Sequence, residues 1–324
     1  MNTGTLVISL DFEIHWGVSD HHTIDSYREN LANVPAIVKR SLKLFEQYGV
    51  HTTWATVGML FCETKEEIFS LVEEVNRPSY TEKKFSNYLV AEGAGKNEKE
   101  DPFHFASSLI TRIKETPGQE VASHTYSHYY CLEPGQTPGQ FFYDLRAAKE
   151  VAARHNIEIS SIVFPANQFH PDYLDTCRKQ AIKCYRGNYP SKIYQFQAKS
   201  REGYVKRLAR LIDTYLPLMG ARTVTPVMEN GIMNIPASCF LRPYSKRLSF
   251  LESLRIRRMK KEMTTAAKRK QVYHLWWHPH NFGANMEKNF AVLETMLRHY
   301  DLLKKKYGMQ SLTMKEIYEQ YSNK

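Results

Sequence analysis

The chain has 324 residues, 42% of them hydrophobic and 24% charged, which suits a globular fold with a sizeable core and argues against extended disorder. Five cysteines without a CxxC pair give no sign of a disulfide framework or a cysteine-rich zinc site. No apolar run approaches the ~20 residues that cross a bilayer, and MNTGTLVISLDFE lacks the basic start and long apolar stretch of a secretory leader, so a reducing, cytoplasmic setting is expected.

The elements alternate along the chain. TLVISLD (5–11) reads as a strand, and ANVPAIVKRSLKLFEQYG (32–49) as a helix stopped by its Gly. VHTTWATVG (50–58) is a strand, EEIFSLVEEV (66–75) a helix, and EVASHT (120–125) begins as a strand. PGQFFYDLRAAKEVAARH (138–155) is a helix, SSIVFP (160–165) a strand, PDYLDTCRKQAI (171–182) a helix and KCYRG (183–187) a short strand. QVYHLWWHP (271–279) is a strand, NFAVLETMLRHYDLLKKKYG (289–308) a long helix with a Gly stop, and a last helix covers 313–321. This alternation predicts parallel β/α units, about seven strands, and closure toward a barrel within one domain spanning 1–324. Two stretches break the rhythm. The polar segment 76–105 reads as a surface loop or lid, and 188–270 shows no clear alternation.

The net charge of +10 is concentrated. Residues 242–270 hold eleven Lys/Arg against Glu252 and Glu262, a local charge of +9. Such a block is either a solvated helix face or a positive field for a phosphate-bearing substrate or an anionic membrane surface. No nucleic-acid motif accompanies it, so nucleic acid is not expected as a partner.

Parallel β/α folds gather functional side chains at the carboxyl ends of their strands. Those ends carry Asp11-Phe12-Glu13, His124-Thr125-Tyr126-Ser127-His128, Phe164-Pro165-Ala166-Asn167-Gln168 and Trp276-Trp277-His278-Pro279-His280. Alternation turns Asp11 and Glu13 to the same side of their strand. Two like charges so close repel, and a divalent ion beside them removes the conflict. His124 and His128 meet one ion if the chain coils there, and one added carboxylate makes three protein ligands with positions open for water and substrate. Ordinary core or surface histidines are the alternative. His280 and His15 are further candidates for the cleft wall, packed or surface roles being the alternative, and His21, His22 and His104 read as surface residues. One of Trp276 and Trp277 faces the core and the other a sugar ring, and Trp277 is taken for the latter.

SLDFE, ASHTYSH, IVFPANQ and LWWHPHNFG, in this order, resemble the motifs of the polysaccharide deacetylase (NodB-homology) family of carbohydrate esterases, from residue 5 to about 312. The resemblance implies a distorted (β/α)7 barrel with insertions near 76–105 and 188–270. It also implies metal-dependent removal of an N- or O-acyl group, usually acetyl, from a sugar. Asp11 would be the general base and His278 the general acid. Glu13, His124 and His128 would hold the divalent metal, commonly zinc, and Asn167 would offer its backbone N–H to the oxyanion. The family's first motif has two adjacent Asp where this chain has Asp11-Phe12-Glu13. Phe164 stands where an Arg usually orients the base, so Arg186 or Arg242 is expected to supply that charge. The ending WWHPHNFG is similar to that of proteins of cell-surface glycan and O-antigen biosynthesis. A nucleotide- or polyprenyl-diphosphate-linked sugar would give the basic block a purpose. A related hydrolase of a non-sugar amide, and a glycan-binding homologue weakened by the missing Arg, are the other readings.

Overall fold

The computed structural model describes residues 3–195, 198–199, 203–217 and 220–322. Among the described residues ten strands form one sheet: β1 (Thr5–Phe12), β2 (Thr52–Thr56), β3 (Gln119–Ser123), β4 (Ser161–Ile162), β5 (Cys184–Tyr185), β6 (Val227–Glu229), β7 (Ile232–Asn234), β8 (Cys239–Phe240), β9 (Val272–Trp277) and β10 (Gln310–Ser311). Their order is β6-β7-β5-β4-β3-β2-β1-β9-β8, with β10 paired to the start of β1, and every ladder is parallel except β6–β7.

One segment closes the sheet. Residues 232–241 first follow β5, with Ile235 and Ala237 donating to the carbonyls of Tyr185 and Gly187 at 2.9 and 2.8 Å. They then change partner: Ser238 donates to His274 at 2.8 Å, and β8 pairs with β9. Pro236 sits at the change of partner, and its missing N–H removes a donor where neither ladder claims one. Counting β7 and β8 as one bent strand gives seven parallel strands, β1 to β5, β7/β8 and β9, in a distorted (β/α)7 barrel. The segment expected to lack alternation therefore supplies the closing strand. Its apolar residues 233, 235, 237, 239 and 241 follow period two, and the proline inside the run masks that signal.

Strand parity assigns each residue to one side of the barrel wall. Leu6, Ile8, Leu10 and Phe12 of β1 pack outward into the main core against the helices. Val7 packs inward with Ala55, Val163, Met233, Ile235 and Val272, and the C-terminal helix Met314–Ser322 plugs this end with Met314 and Ile317. Ser9 and Asp11 continue the inward row toward the opposite mouth. Helix ends follow from local chemistry. Thr137 and Gln140 cap the helix Pro138–Arg154 reciprocally, and Gly49 ends Val34–Tyr48 with φ of 60°.

The second interruption, 76–105, is not a loose loop. It carries the short helix Asn87–Glu92, and Tyr80, Phe85, Tyr88 and Phe105 are buried. The basic block is likewise more than a solvated face. Helix Glu252–Arg269 buries Arg255 and Arg258. Arg258 and Arg222 share the buried carboxylates of Glu262 and Asp213 at 3.0–3.3 Å. Among the described residues no helix is long and apolar enough to cross a membrane, and all five cysteines are free and buried.

Candidate active site

The strand ends converge at the barrel mouth. Asp11 and Glu13 are 2% and 3% exposed, so each needs a specific partner. Asp11 has one: Arg186, just beyond β5, grips it with both terminal nitrogens at 2.6 and 2.7 Å. Arg186 is fixed in turn. It donates to Ser9 Oγ at 3.0 Å and to Asn167 Oδ1 at 2.9 Å, and lies 4.2 Å from the centre of the Trp276 ring. Behind Ser9, His274 Nδ1 faces the Ile235 carbonyl at 3.2 Å, so it is the donor. Nε2 therefore accepts the Ser9 hydroxyl at 2.9 Å, and Ser9 accepts from Arg186. Burial depresses the His274 pKa to about 3, which keeps this relay neutral. Burial works to raise the Asp11 carboxyl, and the Arg186 guanidinium more than offsets it, so Asp11 stays ionised.

Glu13 has no such guanidinium. Its Oε2 faces His124 Nε2 at 3.2 Å and His128 Nε2 at 3.0 Å, and its Oε1 faces His278 at 3.5 Å and His280 at 3.9 Å. Burial pushes its pKa up, yet the positive character of the surrounding imidazoles, His278 first, brings it well below the ordinary range. His124 Nδ1 lies 2.8 Å from the Val163 carbonyl and must donate there. A neutral His124 then turns an Nε2 lone pair toward a carboxylate oxygen. Burial lowers the pKa of His128, and its Nδ1 has no partner, so its Nε2 is free to donate to Glu13. The His124 lone pair facing the carboxylate is the contact that a cation between them would settle. This donor set of one carboxylate and two imidazoles, with ligand atoms within 4.8 Å of one another, fits a divalent metal. Glu13, His278 and His280 form a second such group. In the first group His124 is oriented by a carbonyl behind it, as metal-ligating histidines usually are, while His128 Nδ1, like His280 Nδ1 in the second, is buried without a partner.

The two histidines do not share a helical turn. ASHTYSH runs as an irregular loop, with Thr125 at φ 64° and His128 at φ 57°. Asp144, on helix Pro138–Arg154, holds this loop by accepting the N–H groups of Tyr126 at 2.7 Å and Ser127 at 3.1 Å, together with the Ser127 hydroxyl. Burial raises the Asp144 pKa to about 6 against the pull of those donors. Ile14, Ala166 and Asn167 also have positive φ. Among the described residues, half of the ten non-glycine residues in that region thus lie in or beside three strand-end motifs, and strain of this kind concentrates in functional sites. Gly17 is required by close approach: a Cβ there would lie 1.9 Å from Glu13 Cδ.

His278 is the exposed member of the group, its side chain 24% accessible and 3.6 Å from Asp11 Oδ2. Its tautomer follows from two neighbours. The Tyr27 hydroxyl donates to Asn281 Oδ1 at 3.1 Å, which turns Asn281 Nδ2 toward His278 Nδ1 at 3.1 Å. Nδ1 is then the acceptor, and Nε2–H points at the two carboxylates. These groups open into a cleft of about 620 Å3 whose rim carries Lys84, Lys199 and Arg207.

Several expectations need correction. Trp277 is fully buried against Phe45 and Phe282, with its ring parallel to Phe282, because its parity turns it outward into the helix-side core; Trp276 faces the cleft instead. The Asn167 N–H donates to Phe164 within its own turn at 2.9 Å. What Asn167 can offer is its side-chain Nδ2, since Oδ1 accepts from Arg186. Arg242 does not reach Asp11; it lines an adjoining cavity. His104 is buried rather than on the surface. Asp101, His104 and His15 form a chain at 2.6 and 2.8 Å that ends on the His22 carbonyl at 3.1 Å. This chain ties the loop after β1 to the segment 101–104. Sequence reading missed Tyr27, Asn281, Asp144 and His274, because their roles rest on contacts between distant elements.

No family model matches the chain, and no curated protein matches it. Solved structures do. A chain described as a polysaccharide deacetylase from Mycobacterium smegmatis is 12% identical, with TM-score 0.63 over 99% of this chain and 91% of that one. One so described from Pseudomonas aeruginosa PAO1 is 10% identical, with TM-score 0.60 over 99% and 91%. PuuE allantoinase is 10% identical, with TM-score 0.59 over 98% and 89%. The chain therefore has the polysaccharide-deacetylase type of (β/α) barrel.

Proposed function

We propose that the protein belongs to the polysaccharide deacetylase family and is a metal-dependent hydrolase. It would remove an N-acyl group, acetyl in the first instance, from a sugar or glycan intermediate of cell-surface polysaccharide biosynthesis, in the cytoplasm. The observation that carries this reading is Glu13 facing His124 Nε2, whose ring proton is committed to the Val163 carbonyl, with His128 within 3.0 Å of the same carboxylate oxygen. Glu13, His124 and His128 would hold the ion, zinc being the first choice for one carboxylate and two imidazoles. When bound, such an ion supplies Lewis acidity toward an acyl carbonyl and toward water.

The chain's own groups would do the rest. Asp11, kept ionised and aimed by Arg186, accepts the proton of the attacking water. His278 would pass its Nε2 proton to the leaving nitrogen while Asp11, 3.6 Å away, returns to Nε2 the proton taken from water, so the ring ends neutral. Asn167 Nδ2 would donate to the developing oxyanion. Arg186 on Asp11 weighs against a weakened binding homologue, since the charge expected from the third motif is supplied from the next strand end. Hydrolysis of a cyclic or other non-sugar amide is the second reading, favoured by the likeness to an allantoinase structure.

A deacylation screen of nucleotide sugars, lipid-linked glycans and small cyclic amides against the metal-loaded chain, with metal analysis, tests both. About one divalent ion per chain is expected, lost in His124→Ala/His128→Ala. Full metal content in that double variant would sink the ligand assignment.

A further inference from the structure

A second cavity adjoins the cleft. It holds about 170 Å3, shares Asn167 and Trp276 with the cleft, and is lined by Arg210, Arg222, Arg242, Tyr194 and Thr214 among others. These residues come from the insert that closes the barrel. The arginines differ in how their charge is met. Arg222 is neutralised by Glu262 at 3.2 Å and Asp213 at 3.3 Å. For Arg242, no carboxylate lies within ion-pair reach among the described residues. Its Nε donates to Thr214 Oγ1 at 3.1 Å, and Thr214 passes its own proton to the Arg210 carbonyl at 2.9 Å. The guanidinium stands 6.0 Å from the Phe240 ring centre. Its terminal nitrogens make no hydrogen bond among the described residues.

A guanidinium cannot shed its charge by losing a proton. Partly buried and without an anion, it bears a desolvation cost that an anion in the cavity would offset. Nε is already anchored, so the terminal nitrogens are held in place for such a ligand. Lys84 and Lys199 on the cleft rim are by contrast already paired, with Glu82 at 2.6 Å and Asp20 at 2.7 Å.

We propose that this cavity is an anion subsite, in which Arg242 takes a phosphate-type group carried by the substrate beyond Trp276. That the substrate is an acyl sugar rests on the deacylase reading; that the cavity takes an anion does not. The substrate would then be a sugar phosphate or phosphate-linked glycan rather than a neutral one.

The test is isothermal titration of the full, zinc-loaded chain in an Asp11→Asn background, where turnover is blocked. The probes are N-acetylglucosamine, N-acetylglucosamine 1-phosphate and inorganic phosphate. The sugar phosphate is expected to bind roughly tenfold or more tighter than the neutral sugar, an advantage that shrinks with salt. Arg242→Gln should erase the advantage and Arg242→Lys restore part of it. Should Arg242→Gln fail to fold, Thr214→Val removes the anchor of Arg242 and should shrink the same advantage. Repeating the titration after chelation separates binding at Arg242 from binding to the ion: the Arg242-dependent part should persist. Equal affinity for the two sugars, or an advantage that survives Arg242→Gln, overturns the proposal. Inorganic phosphate binding as tightly as the sugar phosphate overturns the assignment of the anion to the substrate. Arg242-dependent phosphate preference without hydrolysis in any screen would sink the deacylase reading and leave the subsite standing.

Discussion

Two buried clusters of charge lie in this molecule, and they are built on opposite terms. In the insert, Arg222 and Arg258 meet Asp213 and Glu262 as two cations against two anions, within 3.0–3.3 Å and almost without exposure. At the barrel mouth, Arg186 neutralises Asp11, and Glu13 is left among four imidazoles with no guanidinium or ammonium group against it among the described residues. Backbone strain separates the two as well: positive φ gathers at Ile14, Thr125, His128, Ala166 and Asn167, and none of the four ion-pair residues has it. A balanced, relaxed cluster is self-sufficient and serves folding. An unbalanced, strained one is complete only with something added.

The two clusters differ most at Asp11. Asp11→Asn keeps the shape and the ligands of the proposed metal and removes the base. A fall in turnover of roughly 10²–10⁴-fold with metal content unchanged is expected once a substrate is in hand. Retained turnover would make Asp11 a structural carboxylate like Asp213. The matching change in the insert is Glu262→Leu, which strands two guanidinium groups in the interior. Urea unfolding should show a loss of about 3–5 kcal/mol. A loss under ~1 kcal/mol would mean that the network is not what holds helix Glu252–Arg269 to the barrel.

Between the clusters stands His274, which braces Arg186 through Ser9. Its folded pKa of about 3 lies below the ordinary 6.5, so the unfolded chain binds a proton that the folded chain refuses. Its contribution is fully present above the unfolded value and is lost as pH falls from about 6.5 toward 3. His274→Gln should reduce the slope of unfolding free energy against pH in that window by about 1.4 kcal/mol per unit. An unchanged slope would mean that His274 is protonated in the fold and that the relay runs the other way.

Gly17 tests the demand for close approach. Gly17→Ala pushes a methyl into the Glu13 carboxylate. Metal affinity should drop roughly 10–100-fold, as when the support of a ligand is disturbed, while the fold persists. Unaltered affinity in a competition titration would remove Glu13 from the ligand set.

Much of this was legible in the sequence, and the gaps have physical causes. The strand ends announced themselves because polar residues directly after apolar runs are costly unless used. Asp11, Glu13, His124, His128, His278 and Arg186 do meet at one mouth. Trp276 and Trp277 were exchanged because a run buried on both faces gives no parity signal, whereas the register of β9 on β1 decides it at once. The closing strand was hidden by Pro236, which ordinarily speaks against a strand and here marks a change of partner. Tyr27 and Asn281, which set the His278 tautomer, lie 254 residues apart, beyond any local pattern.

The basic block divides into cations that are buried and paired and cations that face solvent, and only the second kind can be changed without loss of fold. Of its cations, Arg255 donates to Glu252 and to the Arg242 carbonyl, and Arg258 belongs to the ion-pair network. Charge reversal across the whole stretch would therefore unfold the helix before it reported on any ligand. Arg257 and Lys261 are exposed on the same helix, and reversing only these leaves the buried pairs intact. Stability should shift by no more than about 0.5 kcal/mol. Affinity for anionic vesicles, or for a phosphate-linked sugar, should weaken modestly and only at low salt, because exposed charges act through a screened field. If affinity is untouched at every ionic strength, the positive charge that matters is the one inside the barrel wall, at Arg242, and the outer lysines and arginines are a solvated face.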